Sequence, residues 1–194
     1  MHPNTLTASR IPLTLLFAVC VISKDPIVLG VAAITAIISL LTDFFDGYLA
    51  RKRGLVSAFG ICGDPIADKI FVLGAFISLA ARQELALSHI ATVVLVIREF
   101  SITGLRVVLL VSGARLLPSE KFGKMKTAIQ FFLILLFTGT LALLYAGWQV
   151  TVFLRAAPIL YWLMTIVAVA SGMSYLWGQR RGLVESWMQG RRPS

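Results

Sequence analysis

The chain has 194 residues, is 58% hydrophobic and only 14% charged, and carries 18 Lys+Arg against 9 Asp+Glu for a net charge of +9. Soluble domains run near 45–50% apolar and about 25% charged, so a mean hydropathy of +0.86 excludes an ordinary soluble globule and points to an all-α integral membrane protein. The basic excess comes without any RNA- or DNA-binding motif, which favours membrane lipids with anionic headgroups and phosphorylated substrates as partners over nucleic acid.

Six apolar stretches are predicted as membrane-spanning helices, at 10–23, 27–51, 57–82, 86–114, 120–146 and 150–178, within one domain over 1–194. The first reads as a retained helix: its flank is weakly basic and no clean small-residue cleavage site follows. Lys24-Asp25-Pro26 separates the first two stretches, Arg53-Gly54 follows the second, Gly113 to Pro118 breaks the fourth from the fifth, and Ala146-Gly147 ends the fifth. Cys20 and Cys62 stand far apart without metal-ligand spacing and read as small buried hydrophobes.

The basic residues orient this six-helix bundle. Arg10, Arg51, Lys52, Arg53, Arg115, Lys121, Lys124, Lys126, Arg180, Arg181, Arg191 and Arg192 fall on one side, against only Lys24, Arg82 and Arg155 on the other. The positive-inside rule then puts both termini in the cytoplasm.

Four of the 9 acidic residues lie between Asp43 and Asp68. Asp43 and Asp46 share a helix face, as do Asp64 and Asp68 on the next helix, and a short turn near Gly54 brings the two ends together. Four converging carboxylates repel one another unless cations join them. An all-oxygen donor set without His or Cys points to Mg²⁺ or Mn²⁺, with room for two ions. Gly47, Gly60 and Gly63 permit close approach of a ligand or helix, Arg51 can reach a phosphate, and Pro65 is expected to kink or begin the third helix. Lys69 can snorkel to the headgroups or touch a phosphate.

Asp43, Asp46, Gly47, Ala50, Arg51, Gly60, Asp64 and Asp68 stand in the pattern D-x2-D-G-x2-A-R-x8-G-x3-D-x3-D. This resembles, without gap or substitution, the signature of the CDP-alcohol phosphotransferase family. Further segments resemble the branch whose acceptor is sn-glycerol 3-phosphate: the opening Asn4, Thr7, Arg10; IREFSITGLR from Ile97 to Arg106; and FGKMKTAIQ from Phe122 to Gln130. Cys62-Gly63 before Asp64 is a small departure from that branch.

A short chain without a transit peptide fits a bacterial inner membrane, and the resemblance implies a homodimeric enzyme that binds CDP-diacylglycerol and releases CMP. Asp43, Asp46 and Asp64 would be principal metal ligands, with Asp68 a ligand of a second ion and the general base. Asn4, Thr7, Gly47, Ala50, Arg51, Ser57 and Gly60 would contact the CDP-lipid.

Glycerol 3-phosphate is a small dianion and calls for cations. Arg98 and Arg106 lie two turns apart inside the fourth stretch, where an intramembrane arginine marks function by default. With Lys124 and Lys126 they are expected to hold the acceptor phosphate, and Glu99 is a candidate partner for one arginine. Lipid headgroups are the competing role for the lysines. Inositol phosphate or phosphatidylglycerol as acceptor, a cation carrier, and a purely structural membrane protein remain as alternatives.

Overall fold

The computed structural model describes the backbone of residues 3–53, 58–111 and 121–189, and the side chains of residues 10–42, 69–109 and 125–180. The described residues form helices and no strand: α1 Pro3–Ile22, α2 Pro26–Arg53, α3 Ala58–Ala80, a 3-10 turn Gln83–Leu85, α4 His89–Val111, α5 Lys121–Tyr145 and α6 Thr151–Gln189.

Two of the predicted breaks rest on local capping chemistry, while the turn at Gly54 and the break from Gly113 to Pro118 lie outside the described residues. The Asp25 carboxylate accepts from the Ile27 amide at 2.7 Å, with Pro26 in the first helical position of α2. Ser88 accepts from the Ala91 amide at 3.3 Å and opens α4. At the end of α5, Gly147 takes φ +83°; its amide reaches the Leu144 carbonyl at 3.1 Å and Trp148 reaches Leu143 at 3.0 Å. This is the two-bond Schellman arrangement that requires a left-handed residue, hence glycine.

Other boundaries differ from expectation. α1 starts at Pro3, well before 10, and α4 starts at His89 rather than 86, because the 3-10 turn and a left-handed Ala86 (φ +48°) occupy the intervening residues. α3 begins at Ala58, so Pro65 lies inside it. α6 continues past 178 to Gln189. The apolar pattern stops there, but the backbone hydrogen-bond ladder does not depend on hydropathy, and no proline stands between Trp177 and Gln189 to break it.

α1 packs on α2 and α3, α2 on α5, α4 on α3 and α6, and α5 on α6. Aromatic rings join these layers. Phe71 of α3 meets Phe17 of α1 edge-on at 5.6 Å and stacks with Phe131 of α5 at 6.1 Å. Tyr161 of α6 is fully buried between Phe76 and Phe137, and its hydroxyl lies 2.9 Å from that of Thr92 on α4. At Gly74, α3 approaches α1 so closely that an added Cβ would stand 2.3 Å from the Thr14 methyl.

The exterior is apolar: Ile34, Ile97, Phe132, Val152, Leu163 and Ile166 are exposed, while Thr35, Ser39, Thr103, Gln130, Thr138 and Thr165 are buried. Thr35, Thr138 and Thr165 satisfy their hydroxyls on the carbonyl one turn back, at 2.7–2.9 Å. Two helical segments, Met125–Tyr145 and Thr151–Arg180, are long and apolar enough to cross a membrane. Shorter apolar segments are Arg10–Ile22, Pro26–Thr42 and Lys69–Ala80.

Candidate active site

Asp43, Asp46, Gly47, Ala50 and Arg51 fall in the last part of α2, and Gly60, Asp64 and Asp68 in the first half of α3. Asn4 and Thr7 fall near the start of α1, and Lys124 in the first turn of α5. The expected convergence of the aspartates concerns side chains outside the described residues, as do the contacts of Asn4, Thr7 and Lys124; Ser57 lies outside them altogether.

One polar centre is described in full, and it is built around Glu99 of α4. Glu99 is 1% exposed. Its Oε1 accepts from the Lys126 ammonium of α5, from Arg98 Nη1 at 3.0 Å and from Gln130 Nε2 at 3.4 Å. Its Oε2 lies 3.7 Å from the Lys69 ammonium of α3. Three helices thus deliver three cations to one carboxylate. The predicted Arg98–Glu99 pairing is present. Lys126 is buried, so the headgroup role weighed for it does not hold. Lys69 likewise turns toward Glu99, and Arg10 is buried in the bundle.

Arg98 is fixed from a second side. Its Nη2 donates to Ser171 Oγ of α6 at 3.3 Å, and its chain lies over Gly172, where an added Cβ would come within 2.9 Å of Nε. Arg106, two turns further along α4, sits over the Tyr175 ring of α6 at 4.9 Å. Among the described residues no carboxylate pairs with Arg106. Burying charge is tolerable only when it is compensated. Here, among the described residues, three cations surround one carboxylate.

A second charged group lies at the opposite end of the helices. Arg82 is buried; its Nη1 donates to the carbonyls of Val21, Ile22 and Ser23 at 2.7–2.8 Å, and its other nitrogens reach Glu84 and the Tyr145 hydroxyl at 2.8–3.2 Å. Tyr145 donates in turn to Glu84. Burial raises the Glu84 carboxyl, but the Tyr145 and Arg82 hydrogen bonds outweigh it and hold the group below the ordinary carboxylate range. From the sequence, Arg82 counts only as one of three cations on the less basic side of the bundle. Its partners are the end carbonyls of α1, some sixty residues away, and nothing in the local sequence announces them.

An all-helical bundle with an apolar exterior and a buried, cation-rich interior defines a membrane-type protein that handles anionic ligands. The chain belongs to the CDP-alcohol phosphatidyltransferase family, whose model matches residues 1–172. It is similar to proteins named CDP-diacylglycerol–glycerol-3-phosphate 3-phosphatidyltransferase. The one from Rickettsia bellii is 31% identical over 173 residues, covering 89% of this chain and 92% of the relative. The one from Bacillus subtilis is 32% identical over 185 residues, with the same coverage.

Proposed function

We propose that the chain is a phosphatidylglycerophosphate synthase, transferring the phosphatidyl group of CDP-diacylglycerol to sn-glycerol 3-phosphate with release of CMP. The observation that carries the acceptor choice is the surplus of cations around Glu99 among the described residues, with Arg106 two turns further along α4. A phosphorylated acceptor supplies the missing negative charge; serine or choline does not. The names carried by the relatives support the same reading.

Arg106 and Lys124 take the acceptor phosphate in this scheme. Arg98 and Lys126, tied to Glu99, hold the positive field in place and leave their remaining donors toward the phosphate. Gly47, Ala50, Arg51, Ser57 and Gly60, with Asn4 and Thr7, bind the CDP-lipid. Asp68 takes the proton of the attacking hydroxyl, the new phosphoester bond to phosphorus forms, and the phosphoanhydride bond breaks with CMP as leaving group. The four aspartates offer the hard carboxylate set that suits Mg²⁺ or Mn²⁺, as one or two ions. Bound there, the metal would neutralise charge on the diphosphate oxygens.

We place all six helices across a bacterial inner membrane, both termini and the site on the cytoplasmic side, in a homodimer. The apolar exterior and the clustering of basic residues at the site end support this placement. The test is CMP release from CDP-diacylglycerol by purified protein with a panel of acceptors, with and without Mg²⁺ or Mn²⁺. Turnover with glycerol 3-phosphate is expected; turnover with inositol phosphate but not glycerol 3-phosphate overturns the acceptor assignment.

A further inference from the structure

We infer, building on that acceptor reading, that Tyr175 and Gln179 form the α6 wall of the acceptor site and donate hydrogen bonds to oxygens of a small phosphorylated polyol held beside Arg106. α6 carries Ser171, Tyr175 and Gln179 one turn apart, on a single face. The first two meet α4 side chains: Ser171 accepts from Arg98, and Tyr175 lies under Arg106. Gln179 is 3% exposed. Yet the Tyr175 hydroxyl, Gln179 Nε2 and Arg98 Nε are buried with no hydrogen-bond partner among the described residues.

Buried polar atoms are normally paired, and leaving one unpaired costs stability. Elsewhere among the described residues the rule holds: Thr165 of α6 bonds the Tyr161 carbonyl, and Tyr161 itself bonds Thr92. The exceptions gather in one helix pair, at the end of α6 that adjoins Arg106. All three open groups can donate. A ligand that accepts from them must be rich in oxygen lone pairs, and next to two guanidinium groups it must not be cationic. A phosphate or a polyol hydroxyl qualifies; an ammonium or an acyl chain does not.

The experiment measures steady-state CMP release and thermal unfolding of the full chain in detergent for wild type, Gln179→Leu, Gln179→Asn and Tyr175→Phe. Wild type is first shown to turn over glycerol 3-phosphate; if it uses no phosphorylated polyol at all, the proposed function fails, and this inference with it. Given wild-type turnover, Gln179→Leu should raise KM for glycerol 3-phosphate at least tenfold and leave KM for CDP-diacylglycerol within twofold. Its unfolding midpoint should be equal to or above wild type, since the amide it removes has no partner. Glycerol 3-phosphate alone should raise the midpoint of wild type and not of Gln179→Leu. Tyr175→Phe should show the same selectivity at about threefold. Should Gln179→Leu not fold, Gln179→Asn carries the same KM comparison. An acceptor KM unchanged in both glutamine variants, or both KM values rising together, overturns the inference while leaving the activity in place.

Discussion

The two ends of the bundle each set an arginine beside a glutamate, and they use the pair differently. At Arg82 the accounts of charge and hydrogen bonding close: its nitrogens meet Glu84, Tyr145 and the carbonyls of Val21, Ile22 and Ser23 at and just past the end of α1. At Glu99 they do not close among the described residues: Lys69, Arg98 and Lys126 share one carboxylate, and Arg98 Nε has no hydrogen-bond partner there. A saturated guanidinium is a fastener. A centre with cations and donors left over among the described residues suits the anionic acceptor proposed above.

The largest expected effect breaks the saturated end. Arg82→Met leaves Glu84 without its cation and the α1 carbonyls unpaired, which should cost about 3–5 kcal/mol of stability. Thermal unfolding in detergent would show a large fall in midpoint that glycerol 3-phosphate or inorganic phosphate does not specifically repair. Glu99→Gln tests the other end. It removes the charge that gathers Lys69, Arg98 and Lys126, so it should also destabilise, by roughly 2–4 kcal/mol. Here millimolar phosphate should restore part of the midpoint, because an added anion takes the place of the lost carboxylate. Equal rescue of both variants would abolish the distinction between the two ends.

Next in size is Gly74→Ala. Its methyl would stand 2.3 Å from Thr14 Cγ2, and Thr14 is held by a 2.7 Å bond from its hydroxyl to the Arg10 carbonyl. Overpacking of this kind costs about 1–3 kcal/mol, and the Gly74→Ala/Thr14→Ser double variant should recover most of it in a thermal-unfolding cycle. Gly172→Ala presses on Arg98 instead, and a few-fold rise in acceptor KM with little change in midpoint is expected.

The smallest effect is a pH dependence at the saturated end. The Glu84 carboxyl is held below its ordinary value of 4.5, so its contribution is complete above that pH and is lost as pH falls through the lower folded value. Comparing midpoints across pH 3–7, wild type should exceed Glu84→Gln at neutral pH and converge on it in acid.

The sequence exposes whatever depends on neighbours along the chain. Asp25-Pro26 and Ala146-Gly147 announce their caps because capping is a matter of two to five residues. Arg98–Glu99 is legible for the same reason. The capture of Lys126 by Glu99 and of the α1 carbonyls by Arg82 is not, since each depends on how distant helices lie against one another. Gln179 illustrates the limit: it reads as one polar residue near a helix end, and only its burial without a partner gives it meaning. The four-aspartate pattern was the most legible feature of all, through spacing alone, and its side-chain geometry lies outside the described residues.

The Arg82 bonds have a mechanical consequence. They tie the last residues of α1, the segment just past α3 and the last residue of α5 to one point. Relative motion of these helices is then a pivot about that point rather than a slide. α5 has 25 residues and is therefore about 37 Å long, so a tilt of about 5° moves its far end by about 3 Å. That far end carries Lys124 and Lys126. A rivet at one end thus turns a small tilt into a displacement the size of a hydrogen bond at the other, the end that the proposed acceptor site occupies.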